Sequence, residues 1–334
     1  MIQLIREAVA RPTQVPGHEL NVTCSIGVSV FPQDGRRADV LVRNADSALH
    51  RAKERGRNGL QFFTQEMNVA VSERLALDAG LRRALERSEF ALHYQPKVNL
   101  QSGSITGFEA LLRWSPSSGS VPPNKFVPVL EDNGLILTVG EWVFREACTQ
   151  LGAWHETGLA PRPVAVNLSG HQLREPDLDQ KLRAILVDTG TDPSLLEVEI
   201  TESVLIEEPE LVIGILRNLK DMGIRISVDD FGTGYSSLSC LHQFPIDGLK
   251  IDRAFIQSMG LRRDYAAVVQ AIVTLAHNLG IQVVAEGVEN VDQLVQLQVL
   301  ECDQAQGYHF GKPMPASEAD AFIAQMSVAE SLAA

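Results

Sequence analysis

Positive charge is scarce in this chain. Its 334 residues carry 29 Lys and Arg against 42 Asp and Glu, a formal charge of −13. Non-specific nucleic-acid binding needs a basic surface, so that class is excluded. A small phosphate ligand stays open, because a bound divalent metal inverts the local field. Cysteine is sparse as well: Cys24, Cys148, Cys240 and Cys302 lie far apart with no Cys-x-x-Cys spacing. They read as reduced, mostly buried thiols of a reducing compartment. No apolar run is long enough to span a bilayer, and no basic, apolar, small-residue leader opens the sequence. The expectation is a cytoplasmic chain without a membrane segment of its own, whose longer parent can carry an anchor. The dinucleotide fingerprint is missing too, since Phe231-Gly232-Thr233-Gly234-Tyr235 lacks the GxGxxG spacing.

What is present is an ordinary globular composition, 45 % hydrophobic and 21 % charged, with length for one large domain or two smaller ones. The first ~65 residues differ from the rest. Residues 1–10 end an amphipathic helix, broken by Pro12, Pro16 and Gly17. NVTCSIGVSVF alternates as a strand with Val22, Cys24, Ile26 and Val28 on one face. Residues 38–55 form a second amphipathic helix with Leu41, Ala45, Ala48, Leu49 and Ala52 on its apolar side, and LQFF is a short strand. So few elements bury little alone, and they read as part of a domain. The basic run Arg51, Lys53, Arg55 and Arg57 reads as a solvated helix face. Residues 66–88 predict a helix linking the two regions, placing boundaries at 1–64, 65–78 for the linker helix, and 79–334.

From Phe90 onward strand and helix signals alternate. FALHYQPKV, ITGFEALLRW, PVAVNLS, LLEVEITES, IRISVDDF, GLKID and IQVVAEG are strand-like; helices are expected at 139–156, 174–189, 208–222, 262–279 and 290–298. Such alternation implies a parallel sheet with helices outside, and this many units imply a closed α/β barrel. Only Leu100 to Ser104 separates the first two strands, a hairpin spacing, so one strand should run antiparallel.

Polar side chains gather at the ends of these strands: Glu109, Asn167, Glu199, Asp229 with Asp230, Lys250, Glu286 and Gln306. Period-two alternation puts Glu197, Glu199 and Thr201 on one face and Val198 and Ile200 on the other. Ser227 shares parity with Asp229, Ala165 with Asn167, and Leu111 and Arg113 with Glu109. Each residue alone has an ordinary reading. Asp229 and Asp230 can start a tight turn, Lys250 can snorkel or lie exposed, and Arg113 can pair with Glu109 or a nearby acid. As a group they repel one another unless a cation neutralises them. Oxygen donors without His or Cys partners favour Mg²⁺ or Mn²⁺ over zinc, and adjacent aspartates suit two metals. Arg113 could clamp a phosphate, and Lys250 could hold a water or a phosphate oxygen.

GFEALLRW resembles the signature of the EAL-domain family of cyclic di-GMP phosphodiesterases, as do YQPKV, VNLS, EITES, DDFGTGYSSL, LKIDRAFI, VVAEGVE and QGYHFGKPMP, in the family's order over roughly residues 79–325. The resemblance implies a modified TIM (β/α)8 barrel with one antiparallel strand. It implies two Mg²⁺ or Mn²⁺ per site, with Glu109, Asn167, Glu199 and Asp229 as ligands of one metal and Asp229, Asp230 and Glu286 of the other. Lys250 would orient the attacking water, completing a catalytic set with Glu286, Asp229 and Asp230. Gln95, Arg113, Glu289 and Gln306 would contact or support the substrate. Glu202 and Thr233 would support the DDFGTG loop, which in that family couples a dimer interface to the metals. The implied activity is hydrolysis of cyclic di-GMP to linear 5′-pGpG by a homodimer. A receptor that holds the ligand without turnover, or a dimerisation module, are the alternatives. VTCSIGVSVFPQDG and NADSALHRAKERGRNGLQFF resemble the last part of a GGDEF diguanylate cyclase domain. The GG[DE]EF motif itself is absent, so cyclase activity is not expected.

Overall fold

The computed structural model describes residues 2–333 apart from 16, 17, 21, 55, 57, 158, 160, 161, 233–237, 261 and 262. The chain divides into two units, Met1–Gly80 and Leu81–Ala334. In the first, α1 (Ile2–Val9) precedes a hairpin of β1 (Thr13–Val15) and β2 (His18–Leu20), then β3 (Ile26–Val28), α2 (Ala38–Glu54) and β4 (Leu60–Phe62). β3 and β4 pair in parallel, and α2 buries Ala48 and Ala52. α3 (Gln65–Leu81) runs to the boundary between the units. The strand expected over NVTCSIGVSVF is confined to β3, and a hairpin precedes it. The linking helix stops at Leu81 rather than near 88; turns follow, and Ser88 takes a left-handed φ of 52° that reverses the chain. Of the basic run, Arg51 and Lys53 are exposed; Arg55 and Arg57 lie outside the described residues, as do Pro16 and Gly17.

The second unit holds β5 (Phe90–Asn99), β6 (Ile105–Trp114), α4 (Pro123–Asp132), α5 (Leu135–Glu156), β7 (Val164–Asn167), α6 (Gly170–Leu173) and α7 (Leu178–Thr189). It continues with β8 (Leu196–Thr201), α8 (Glu202–Glu207), α9 (Pro209–Asp221), β9 (Arg225–Phe231), β10 (Gly248–Ile251), α10 (Arg253–Met259) and α11 (Arg263–Asn278). β11 (Gln282–Ala285), α12 (Val291–Val299), β12 (Gln304–Gln306), β13 (Met314–Pro315) and α13 (Ala316–Ala333) complete it.

β5 to β12 pair in chain order, and β12 returns to pair with β5, closing an eight-stranded barrel. β6 to β12 are mutually parallel, whereas β5 is antiparallel to both neighbours, as the hairpin spacing predicts. The expected helices appear with shifted ends. α4, α6, α8, α10 and α13 are additional, most of them too short to show a sustained period in sequence. α5 shows why the helices sit outside: Val139, Val143, Phe144, Ala147, Leu151 and Trp154 form one buried stripe. The stripe meets outward residues of the strands, where the Trp154 ring packs edge-on against Tyr94 and tilted against Phe108, with centroids 5.3 and 5.4 Å apart. Phe108, Val166, Val198, Ile226, Val228, Leu249, Ile251 and Val283 are each about fully buried on that outer face. Burying them at roughly 1.5–3 kcal/mol per side chain drives barrel closure. Alternation then turns the polar set into the lumen.

Candidate functional site: an acidic barrel mouth

The strand register brings the polar residues to one end. Gln95 opposes Glu109, Asn167 opposes Glu199, and Thr201 opposes Asp229. Lys250 is level with Val284, which puts Glu286, two residues on, just above it. At the centre stands the Lys250 ammonium, with no exposed surface. Its Nζ lies 2.7 Å from Glu199 Oε2 and Glu286 Oε1, and 3.3 Å from Glu109 Oε2 and Asp229 Oδ1. Lys250 therefore does not snorkel; it is the counter-charge of the mouth.

Asp229 and Asp230 are neighbours in sequence, so an ideal strand would point them to opposite faces. A bulge resolves this: Leu249 pairs with Val228 but Ile251 pairs with Phe231, leaving two β9 residues against Lys250. Asp230 there adopts φ 54°, a left-handed conformation that Asp tolerates better than most residues. Both carboxylates consequently reach the mouth. Oxygens of Glu109, Glu199 and Asp229 lie within 4.8 Å of one another, and so do those of Asp229, Asp230 and Glu286.

Crowded carboxylates that have lost water resist ionisation. Burial, reinforced by Asp229 and Glu109, pushes Glu286 up to about 7 despite Lys250. Loss of solvent with the charges of Asp229 and Asp252 pushes Asp230 up to about 6. Burial also raises Glu199 well above its ordinary value, with Glu109 and Asp229 adding to it. Burial opposes the Lys250 charge, but Asp229, Glu109, Glu199 and Glu286 outweigh it and hold the ammonium firmly protonated. Lys250, even with Lys97 on Glu199 at 3.3 Å, leaves the carboxylates of Glu109, Glu199, Asp229, Asp230 and Glu286 short of positive charge.

The donor set suits hard divalent cations, and the cluster of acidic residues can hold metal. Glu109 is braced for such a role. Asn167 Nδ2 donates to its Oε1 at 2.8 Å, and Gln306 Nε2 donates to its Oε2 at 2.7 Å. Asn167 thus presents nitrogen, not oxygen, to Glu109; a ligand role would use its Oδ1. Gln306 Oε1 is buried and meets no hydrogen-bond donor among the described residues, an acceptor that a bound ligand could satisfy. Gln95 is occupied at both ends of its amide: it accepts from Gln306 at 3.0 Å and donates to the Gly311 carbonyl at 3.0 Å.

Arg113 and Glu289 lie at the rim. Arg113 donates to the Leu112 carbonyl at 3.0 Å, and exposed Glu289 accepts from Gln257 at 3.2 Å. Glu202, buried at the start of α8, accepts from the Gly232 amide at 2.7 Å. Gly232 has φ 98°, and a Cβ there would meet the Phe255 ring at 2.9 Å, so its bare backbone can approach where no other residue fits. Thr233 lies outside the described residues. Glu202→Ala removes the acceptor of that amide. We expect turnover at the mouth to fall at least ~10-fold with the circular dichroism spectrum unchanged, since one charged hydrogen bond is worth about 1.5–3 kcal/mol. A wild-type rate would rule out a loop-anchoring role.

Sequence reading missed a second polar layer under the mouth. Lys97 Nζ lies 3.1 Å from Glu197 Oε2 and 3.3 Å from Glu199 Oε1, and Ser227 donates to Glu197 Oε1. Glu197 and Ser227 were visible by parity with Glu199 and Asp229. Lys97, two residues after Gln95, carries the same signal.

The fold and site define a class: closed βα barrels with one reversed strand and an acidic mouth that can hold metal. Residues 78–313 match the family model "EAL domain", and the chain belongs to that family. Residues 1–59 match the model "Diguanylate cyclase, GGDEF domain". The chain is 44 % identical over 317 residues to the "Bifunctional diguanylate cyclase/cyclic di-GMP phosphodiesterase MucR" of Pseudomonas aeruginosa, covering 95 % of this chain and 46 % of that protein. It is 40 % identical over 299 residues to the "Cyclic di-GMP phosphodiesterase PdeR" of Escherichia coli, covering 89 % and 45 %. The solved structure "PaMucR Phosphodiesterase, c-di-GMP complex" superposes with a TM-score of 0.71 at 45 % identity, covering 73 % of this chain and 99 % of that one. The chain thus spans less than half the length of these two curated relatives. No helix among the described residues is long and apolar enough to cross a membrane.

Proposed function

We propose that the chain is a metal-dependent phosphodiesterase that opens one ester of cyclic di-GMP to give linear 5′-pGpG. The observation that carries this reading is the pair of carboxylate groups sharing Asp229, each with oxygens within 4.8 Å, at the mouth of an EAL-family barrel. Relatives named as cyclic di-GMP phosphodiesterases support the substrate.

In this reading Glu109, Asn167, Glu199 and Asp229 hold one metal, and Asp229, Asp230 and Glu286 the other. Mg²⁺ or Mn²⁺, when bound there, lowers the pKa of a water and neutralises the phosphate. Lys250, fully buried among the carboxylates, stabilises charge that develops on the phosphoryl oxygens and orients the attacking water. Gln306 and Asn167 keep the Glu109 carboxylate in place from either side. Arg113, at the rim, takes a phosphate oxygen with its two-pronged guanidinium. Glu289 and Gln95 support the substrate, and Glu202 with Thr233 sets the loop after β9. The protein works as a cytoplasmic homodimer through the barrel unit, with 1–64 a GGDEF-like segment, 65–78 a linker and 79–334 the phosphodiesterase.

The test is hydrolysis of cyclic di-GMP by the purified chain with Mn²⁺ or Mg²⁺ against EDTA. Metal-dependent pGpG supports the reading, whereas binding without product in every metal replaces it with a receptor. Calcium prefers more ligands at longer distances. We expect Ca²⁺ to sustain ligand binding while lowering turnover at least ~10-fold relative to Mn²⁺; equal rates would contradict a geometry-demanding two-metal site.

A further inference from the structure

We propose that Lys97 is a positioning residue of this site: an ammonium one layer beneath the mouth that fixes which oxygen of Glu199 faces upward. The inference rests on the metal-dependent reading of the mouth.

β5 is the reversed strand, so following it along the chain leads down into the lumen. Gln95 is level with Glu109, and Lys97 is level with Gly107, one layer lower. On β8 the same step separates Glu199 from Glu197. Lys97 is 3 % exposed. Its Nζ takes Glu199 Oε1 at 3.3 Å, while Lys250 takes Glu199 Oε2 at 2.7 Å. The carboxylate is thus held by two ammonium groups, one per oxygen. Glu197 completes the lower layer, one oxygen on Lys97 and the other on Ser227. The backbone makes room for these side chains: a Cβ at Gly248 would run into Ser227 Oγ, and Gly107 stands opposite Lys97.

In barrels of this architecture such inner layers are usually bulky branched apolar side chains. A buried ion pair stabilises no better than apolar packing of the same volume, so the pair is poorly explained as a packing device. Its other contact is Glu199, which lies within 4.8 Å of Glu109 and Asp229. Outer partners that orient a ligand commonly change metal affinity or activity about 10–100-fold. Without Lys97, Glu199 answers to Lys250 alone and its carboxylate turns.

The experiment compares the wild-type chain with Lys97→Met and with the double variant Lys97→Met/Glu197→Gln. The readouts are Mn²⁺ affinity by calorimetric titration, thermal melting in EDTA, and kcat and KM for cyclic di-GMP. Lys97→Met is expected to weaken Mn²⁺ binding and lower kcat about 10–100-fold, with KM changed less than about threefold, because Lys97 lies below the substrate. It also lowers the melting temperature by stranding Glu197. The double variant removes that stranded charge, so it recovers most of the melting temperature but neither the Mn²⁺ affinity nor kcat. Wild-type Mn²⁺ affinity in Lys97→Met, or its return with the melting temperature in the double variant, overturns the proposal. Mn²⁺ binding is read without turnover. A wild-type chain that binds Mn²⁺ in a Lys97-dependent way yet hydrolyses nothing would sink the phosphodiesterase reading and leave the positioning role standing.

Discussion

Glu109→Ala is expected to lower the turnover of cyclic di-GMP at least about a thousandfold while the protein stays folded. Glu109 is bonded on both oxygens, taking Asn167 on one and Gln306 and Lys250 on the other. In the proposed mechanism it holds a metal, and charge stabilisation by a metal is worth several kcal/mol, about a factor of ten per 1.4 kcal/mol. The fold should survive because two effects oppose each other. Two amides lose an acceptor, but the like-charge crowding on Glu199, Asp229 and Glu286 is relieved. Steady-state kinetics with saturating Mn²⁺, paired with a thermal melt, decides it. A variant that keeps even a tenth of wild-type turnover would remove Glu109 from the metal site and the two-metal reading with it.

The second large effect is on stability. Lys250→Met keeps the length of the side chain and deletes a cation that contacts Glu109, Glu199, Asp229 and Glu286 together. Stranding buried charge typically costs about 3–5 kcal/mol, which in a chain of this size lowers the melting temperature by on the order of 10 °C. That full loss is expected in EDTA. With Mn²⁺ a different cation supplies the charge, so the melting temperature should return most of the way, yet turnover should remain below about 1 % of wild type because the metals do not replace the ammonium at the phosphate. Melting curves in EDTA and in Mn²⁺ separate the two roles. An equal drop in both solutions would mean that no metal shares the cavity with Lys250.

Most of the frame was legible in the chain, because period-two and helical patterns survive in local sequence. The βα alternation, a reversed strand in the opening hairpin and the inward parity of Glu109, Asn167, Glu199 and Asp229 all follow from spacing, while the structure decides that β5 is the reversed one. Helix ends and short helices such as α6, α8 and α10 were not legible, since one or two turns show no sustained period. Resemblance to the EAL family named the residues; geometry set how they stand. Arg113 shows the limit of pairwise reasoning. An ion pair with Glu109 or a nearby acid was its ordinary reading; the arginine donates its hydrogen bond to the Leu112 carbonyl at the rim, where the Glu109 charge still acts on it.

The sequence by itself determined which residue types reach the barrel mouth, their charge imbalance and that one of the first two barrel strands runs backward. Side-chain alternation and loop length are local properties of the chain. Only the tertiary structure decided three things. The β9 bulge, with Asp230 at φ 54°, turns two neighbouring aspartates to one site against the rule of alternation. Closure of β12 onto β5 brings Gln306 to Gln95 and Glu109, about two hundred residues apart in the chain. The closed barrel also brings Lys97 Nζ to Glu199 across the lumen and sets Lys250 among the carboxylates. Each depends on which strands become neighbours and at what stagger, and that is set by packing of the whole barrel.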